Sequence, residues 1–227
     1  IAKDGDKYYG FIAVGGTGVD TLLRLDFGSS LANVPDTVNF GTLLGTMPVN
    51  TAKFNLIKTN GNWYMFACGG NTIANSSVAR IDFGTSIANT PNSVNFGNLN
   101  NLFNAPKGIF VRKEGSLFYG FVANNLTNDI IRLDFGSNIS LTPSLTNLGT
   151  GFGLANPTDM VSVADGGNEY AFVTNLTTNT ITRLDFGVSL ITTPTAVNIG
   201  NLNNQLFGPT SITYIRDCDS MHLFLTN

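Results

Sequence analysis

Arg24-Leu25-Asp26-Phe27-Gly28 returns as Arg80-Ile81-Asp82-Phe83-Gly84, as Arg132-Leu133-Asp134-Phe135-Gly136 and as Arg183-Leu184-Asp185-Phe186-Gly187. The intervals are 56, 52 and 51 residues. Eleven positions after each arginine stands a proline, at 35, 91, 143 and 194, and Asn-x-Gly follows from Asn39, Asn95, Asn147 and Asn198. A second proline closes each unit at Pro48, Pro106, Pro157 and Pro209, which accounts for all 8 prolines of the chain. Regularity of this kind marks a repeat architecture.

Each unit reads as four short strands parted by turn residues. An apolar run such as Ile109-Phe110-Val111 comes first. A polar turn and an aromatic strand follow, then the strand carrying the signature, then a short fourth strand such as Ser93-Val94-Asn95-Phe96. Four strands in about 52 residues, repeated, predict an all-β chain: a β-propeller of four-stranded antiparallel blades. Residues 1–227 then form one propeller domain or part of one, with about 4.4 blades present. The chain starts at Ile1, inside a first strand, and stops after a second strand. That reads as a processed or excised piece, an arc of a propeller of roughly six to eight blades.

Composition agrees. Charged residues make up 12% of the 227, with a net charge of −3, where soluble domains usually carry about 25%. Polarity rests instead on 29 Asn and 26 Thr. Blades packed on both faces leave little room for charge. Twelve scattered Lys and Arg make no basic patch, which excludes a nucleic-acid partner. No apolar run reaches the ~18 residues of a membrane span, so membrane insertion is not expected. Cys68 and Cys218 lie 150 positions apart and read as two free thiols.

Eight charged residues belong to the signature: Arg24, Asp26, Arg80, Asp82, Arg132, Asp134, Arg183 and Asp185. On a strand, residues i and i+2 share a face. Each Arg–Asp pair therefore predicts an interblade polar ladder, the guanidinium bonding carboxylates and turn carbonyls. The competing reading is a ring of ligands around a channel. Asp-Phe-Gly is also a kinase metal motif, but here it sits four times on strands without the accompanying lysine strand or catalytic loop. Gly15-Gly16-Thr17-Gly18 opens no helix and reads as a loop.

Residues for chemistry are few. His222 is the single histidine, so a His-ligated metal site lacks its parts and a nucleophile–His–acid arrangement would have to be built around His222 alone. It aligns with Tyr64, Phe118 and Tyr170 as a packing residue. Asp4-Gly5-Asp6 and Asp217-Cys218-Asp219 offer oxygen ligands for calcium, but both fall where hairpin turns favour Asp and Gly. No cofactor or metal is expected. Glu114 and Glu169, the only glutamates, lie at or beside strand 1–2 turns, with no catalytic cluster legible around them.

Loop length varies on one side only. From the second-strand Phe to the signature Arg the spacing is 13, 14, 11 and 11, whereas Arg to the first proline is always 11. In a propeller the 2–3 loops and the blade connections share a face, and variable loops on a rigid scaffold carry recognition. The candidate binding residues are Asn71, Thr72, Asn75, Met47, Asn50, Asn101 and Asn104, whose types suit a sugar or a peptide backbone.

Ile181-Thr182-Arg183-Leu184-Asp185-Phe186-Gly187 with Thr193-Pro194-Thr195 and Asn198-Ile199-Gly200 resembles the propeller repeats of secreted surface proteins of Bacteroidota. The resemblance implies gliding-motility-type cargo of the type IX secretion system, an extracellular location, and the secretion translocon as a partner. It also implies O-glycosylation at Asp-(Ser/Thr)-apolar sites, here Thr21, Thr37 and Ser220. Together these readings favour a non-catalytic surface module, not an enzyme, for adhesion, for binding a surface glycan or protein, or as a spacer. The alternative is a propeller lyase or hydrolase with its site at the central channel.

Overall fold

β-Branched and aromatic runs between Gly- and Asn-bearing turns fold into strands along nearly the whole chain. The computed structural model describes residues 1–15, 18–218 and 220–227. Gly16 and Thr17 of the glycine-rich loop, and Asp219 of the last hairpin turn, lie outside the described residues.

Two compact units are present, Ile1–Asn98 and Leu99–Asn227. The first holds two blades: β1 (Ala2–Asp4), β2 (Lys7–Val14), β3 (Thr21–Gly28) and β4 (Asp36–Asn39), then β5 (Thr51–Thr59), β6 (Asn62–Gly69), β7 (Ser77–Gly84) and β8 (Asn92–Asn95). The second holds a third blade, β9 (Pro106–Glu114), β10 (Leu117–Asn124), β11 (Ile130–Gly136) and β12 (Ser144–Asn147). Its fourth blade comprises β13 (Pro157–Asp165), β14 (Asn168–Asn175), β15 (Thr180–Gly187) and β16 (Thr195–Gly200). A two-stranded hairpin follows, β17 (Ser211–Asp217) and β18 (Ser220–Thr226). Every four-stranded sheet runs in chain order, all neighbours antiparallel, as a propeller blade requires.

The repeated motifs have local causes. In each of the four blades the register between the second and third strands slips at the signature Phe, as where Tyr9 pairs with Asp26 but Tyr8 with Gly28. The signature Phe is thus the extra residue of a β-bulge, which turns its ring out of the ladder. The Gly after it takes a left-handed φ of 64–68° in all four copies, where a Cβ would be strained. Asn-x-Gly closes on itself: the Asn Oδ1 accepts from the Gly N–H at 2.7, 2.7, 2.7 and 2.8 Å.

Adjacent blades pack through these residues. In the first unit Phe11 meets Phe83 with ring centroids 5.3 Å apart, beside the buried Tyr9, Met47, Met65 and Ile87. In the second unit Phe121 meets Phe186 at 4.8 Å, beside Phe110, Met160 and Leu190. Each signature Arg grips its own Asp, from 2.6 Å for Arg24–Asp26 and Arg183–Asp185 to 2.9 Å for Arg132–Asp134. Arg24 Nη1 also donates to the Ile87 carbonyl at 2.8 Å, and Arg132 Nη1 to the Ile191 carbonyl at 2.5 Å, both on the 3–4 loop of the following blade.

A second clamp recurs beside the first. The Asp4 carboxylate accepts from Ser86 Oγ at 2.8 Å and from Ile87 N–H at 3.1 Å. Glu114 does the same with Ser189 Oγ at 2.8 Å and Leu190 N–H at 3.0 Å. One carboxylate at the end of a first strand thereby holds the next blade's 3–4 loop. Ionised acceptors make these bonds stronger than neutral ones.

Candidate active site

Strand register shows where the repeat breaks. In the first three blades a lysine near the end of the first strand lies over the aromatic ring opposite it: Lys3 over Tyr8 at 5.3 Å, Lys58 over Trp63 at 4.9 Å, Lys113 over Phe118 at 5.6 Å. In the fourth blade the same pair is Ala164 and Glu169. Glu169 turns instead to Arg112 of the third blade, whose Nη1 is 3.0 Å from Oε2. Arg112 is also a departure, because Ala2, Ile57 and Val163 hold its register position in the other blades.

The surroundings give Glu169 unusual electrostatics. Its Oε2 is buried, with no donor aligned for a hydrogen bond among the described residues, so its contact with Arg112 is Coulombic. Burial pushes the carboxyl above its ordinary value, Arg112 pulls it back and the Glu114 charge pushes it up again; the net direction is upward. Tyr119 is pushed up too, chiefly by burial, then by Glu114 and Asp134, so the phenol keeps its proton. Glu114 is held by Ser189 and Leu190 as described. The result is a partly buried carboxyl shifted upward, paired with Arg112 and near a carboxylate fixed by two donors. Two carboxyl groups in environments this different can divide acid and base roles.

The buried aspartates are occupied. Asp20 accepts from Asn50 and Thr51 N–H, Asp129 from Asn124, Thr127 and Asn147, and Asp159 from Ser211 and Ile212. Among the described residues no three His, Cys, Asp or Glu side chains gather as a metal needs. Asp4 is a locked structural group. Burial pushes it up, but donors from Ser86, Trp63, Lys58 and Ile87 outweigh that and hold it at about 2. His222 is exposed and pairs with Ile215, so its register partners in other blades are Tyr64, Tyr119 and Tyr170; Tyr119, not Phe118, is the aligned residue.

The candidate loop residues divide. Met47 and Asn75 line a cleft of about 370 Å³ in the first unit, with Val19, Ser77, Asn95 and Asn98. The 2–3 loop of the second blade does meet the incoming blade connection there. Asn75 Oδ1, however, accepts from Asn71 N–H, Thr72 N–H and Thr72 Oγ1, which ties all three residues into one turn. Met47 is 1% exposed and belongs to the core. Asn50 and Asn101 adopt left-handed φ of 49° and 54°, a conformation asparagine tolerates. Asn104 N–H donates to Asn124 Oδ1 at 3.0 Å. Thr37 and Ser220 are exposed, whereas Thr21 is half-buried behind the buried Asp20.

Register was the missed signal. Aligned strand against strand, Glu169 stands out as a carboxylate in a column of aromatic rings, and Arg112 as a cation in a column of apolar residues.

No protein-family model matches the chain, and no curated protein matches it. Solved structures do. A family-43 glycoside hydrolase described as a β-1,3-galactosidase superposes with a TM-score of 0.60 at 13% identity, over 96% of this chain and 50% of that one. The catalytic domain of a family-62 α-L-arabinofuranosidase from Coprinopsis cinerea gives 0.62 at 11% identity, over 94% and 75%. A family-43 enzyme from Xanthomonas citri gives 0.57 at 9%, over 98% and 79%. This chain spans about half the length of the first of these.

The expectation of a non-catalytic module, and of no enzyme, is overturned by this comparison: the neighbours are glycoside hydrolases, which favours the hydrolase alternative. The expectation erred for a physical reason. It rested on the regularity of the repeat and on a scarcity of catalytic residue types, with no cluster legible around Glu114 and Glu169, yet glycoside hydrolysis needs only a pair of carboxyl groups. The chain's two glutamates are close enough for one to shift the other. The shared architecture is the β-propeller.

Proposed function

We propose that this protein acts on carbohydrates as a propeller-fold glycoside hydrolase, with Glu169 as the proton donor. The observation that carries the reading is the non-repeating Arg112–Glu169 pair, the one carboxyl of the chain whose net shift is upward among those resolved. A carboxyl shifted upward holds its proton to higher pH than an ordinary one, which suits it to protonate the leaving glycosidic oxygen. Glu114, held by Ser189 and Leu190, supplies the nearby negative charge that helps to raise Glu169. Arg112 holds Glu169 in place, and Tyr119 offers a hydroxyl hydrogen bond. The glycoside hydrolase neighbours support a glycan as substrate, and their titles name galactosides and arabinofuranosides as classes to try. The extracellular setting implied by the repeat resemblance, where glycans are abundant, belongs to the same proposal.

The test is turnover of unactivated galactosides, xylosides and arabinofuranosides, such as the methyl glycosides, by the intact chain and by Glu169→Gln. Wild type releases the free sugar from at least one, and the variant is slower by about 10²-fold or more, the range expected for loss of a general acid to a poor leaving group. Equal rates for the two proteins would remove Glu169 from the mechanism. No turnover on any substrate would remove the hydrolase reading.

A further inference from the structure

The 2–3 loop of the second blade breaks the repeat. From the second-strand Phe to the signature Arg it takes 14 positions, against 11 in the third and fourth blades. In those two blades the loop is pinned to the incoming blade connection by main-chain bonds. Asn125 and Leu126 N–H donate to the Ala105 and Asn104 carbonyls at 3.0 and 3.4 Å, and Leu176 and Thr177 N–H to the Asn156 and Ala155 carbonyls at 3.2 and 3.3 Å. The longer loop folds on itself. Asn75 and Ser76 N–H both donate to the Thr72 carbonyl, at 3.3 and 3.0 Å, and Ser76 Oγ joins them at 2.6 Å. Gly70 permits the turn, because at its φ of 127° a Cβ would collide with Ser76.

This loop and the connection from the first blade line the cleft of about 370 Å³ in the first unit. Both are held in place. Asn98 Nδ2 donates to the Ile73 carbonyl at 2.5 Å, which fixes the loop. Asn95 Nδ2 donates to the Thr46 carbonyl at 2.9 Å, and the Thr46 and Ser93 hydroxyls meet at 2.5 Å, which fixes the connection. Val19, Met47 and Val49 give the cleft an apolar surface, Asn75, Ser77 and Asn95 a polar one, and none of its lining residues is charged. One polar group is unspent. Asn75 Oδ1 accepts from three donors of its own turn, whereas among the described residues Asn75 Nδ2 has no partner.

We infer that this cleft is a binding site for a neutral sugar unit of a glycan, with Asn75 Nδ2 donating to a sugar hydroxyl and the sugar's C–H face lying against the valines and Met47. A sugar ring carries hydroxyls around its edge and C–H groups on its faces, so a few placed amides over a small apolar surface recognise both. A phosphate, a carboxylate or an ammonium group would be desolvated here without a counter-charge. Walls already fixed by hydrogen bonds lose little freedom when the ligand enters. The cleft belongs to the first unit, whereas Arg112 and Glu169 belong to the second. It is a site additional to the proposed chemistry and rests on that reading only for the choice of sugars to try.

The probes are short galacto-, xylo- and arabino-oligosaccharides, titrated by NMR into the full chain with its 4 methionines isotope-labelled at the methyl group. The Met47 methyl shifts saturably with at least one of them, at a Kd of about 1 mM or tighter, and the Met160 methyl of the second unit does not. Asn75→Asp keeps an oxygen for the three bonds of the turn and removes only the Nδ2 donor. It weakens binding by about tenfold or more, the loss of one well-placed hydrogen bond, and leaves the thermal midpoint unchanged. Ala74→Trp, at an exposed position of the lining, fills the cleft and abolishes the shift. Glu169→Gln binds as wild type does, so failure of hydrolysis and failure of this site are read separately. No saturable Met47 shift with any of these sugars, equal affinity in Asn75→Asp, loss of binding in Glu169→Gln, or tighter binding of the uncharged peptide acetyl-tetraalanine amide overturns the inference.

Discussion

Arg24 and Arg183 carry the same signature and stand in different surroundings. Arg24 is 6% exposed and bonds both Asp26 and the Ile87 carbonyl. Removing it strands a carbonyl and a half-buried carboxylate, so Arg24→Ala should cost about 2–3 kcal/mol. Arg183→Ala, at a partly exposed pair, should cost under about 1 kcal/mol. Urea midpoints of the two variants check the contrast, and equal losses would refute the clamp at Ile87. Asp4 makes a different prediction. Held at about 2 against an ordinary 3.8, it stabilises the folded chain above its ordinary value, and the contribution drains away as pH falls from 3.8 towards 2. Asp4→Asn should cost about 2 kcal/mol near neutrality and should flatten that acid decline, measured as urea midpoint against pH. Glu169 has the opposite sign. Its raised value keeps the proton on to a higher pH than an ordinary glutamate does, so turnover should fall as pH rises through it.

At the scale of elements, strands meet most closely where glycine permits. A Cβ on Gly108 of β9 would sit 2.8 Å from both Met160 Cβ and Met160 N, on the neighbouring β13. Gly108→Ala should therefore destabilise by about 1–3 kcal/mol, whereas Gly151→Ala, with nothing within 4 Å, should stay within about 0.5 kcal/mol. Thermal melts of the pair settle this. The blades themselves were legible in the sequence because each repeated residue answers a local demand: Gly28 a left-handed turn, Asn39 a side-chain bond to Gly41, Phe27 a bulge. Such demands act within a few residues, and sequence displays them directly. The candidate site was not legible in the same way. Glu169 looks ordinary beside a hairpin turn, and only the packing of β14 against the third blade brings Arg112 and the Glu114 charge to it. Met47 misled in the other direction: it lies in a loop by sequence, yet packs in the core of its unit.

For the whole molecule, repetition and its failures divide the labour. Recurring residues hold blades together, through the signature Arg and the bulged Phe and, in the first and third blades, through the carboxylate at the end of the first strand. Residues present once, Arg112 and Glu169, are free of that duty and available for chemistry. A chain with 12% charged residues has few to spare, which makes a half-buried Arg–Glu pair outside the repeat the more telling. The measurement that bears most directly on this account is chromatographic detection of sugars released when the intact chain is incubated with galactan, xylan and arabinan. The account predicts release of mono- or oligosaccharide from at least one polymer, lost in Glu169→Gln. Retention of a polymer by the protein with no sugar released would contradict it.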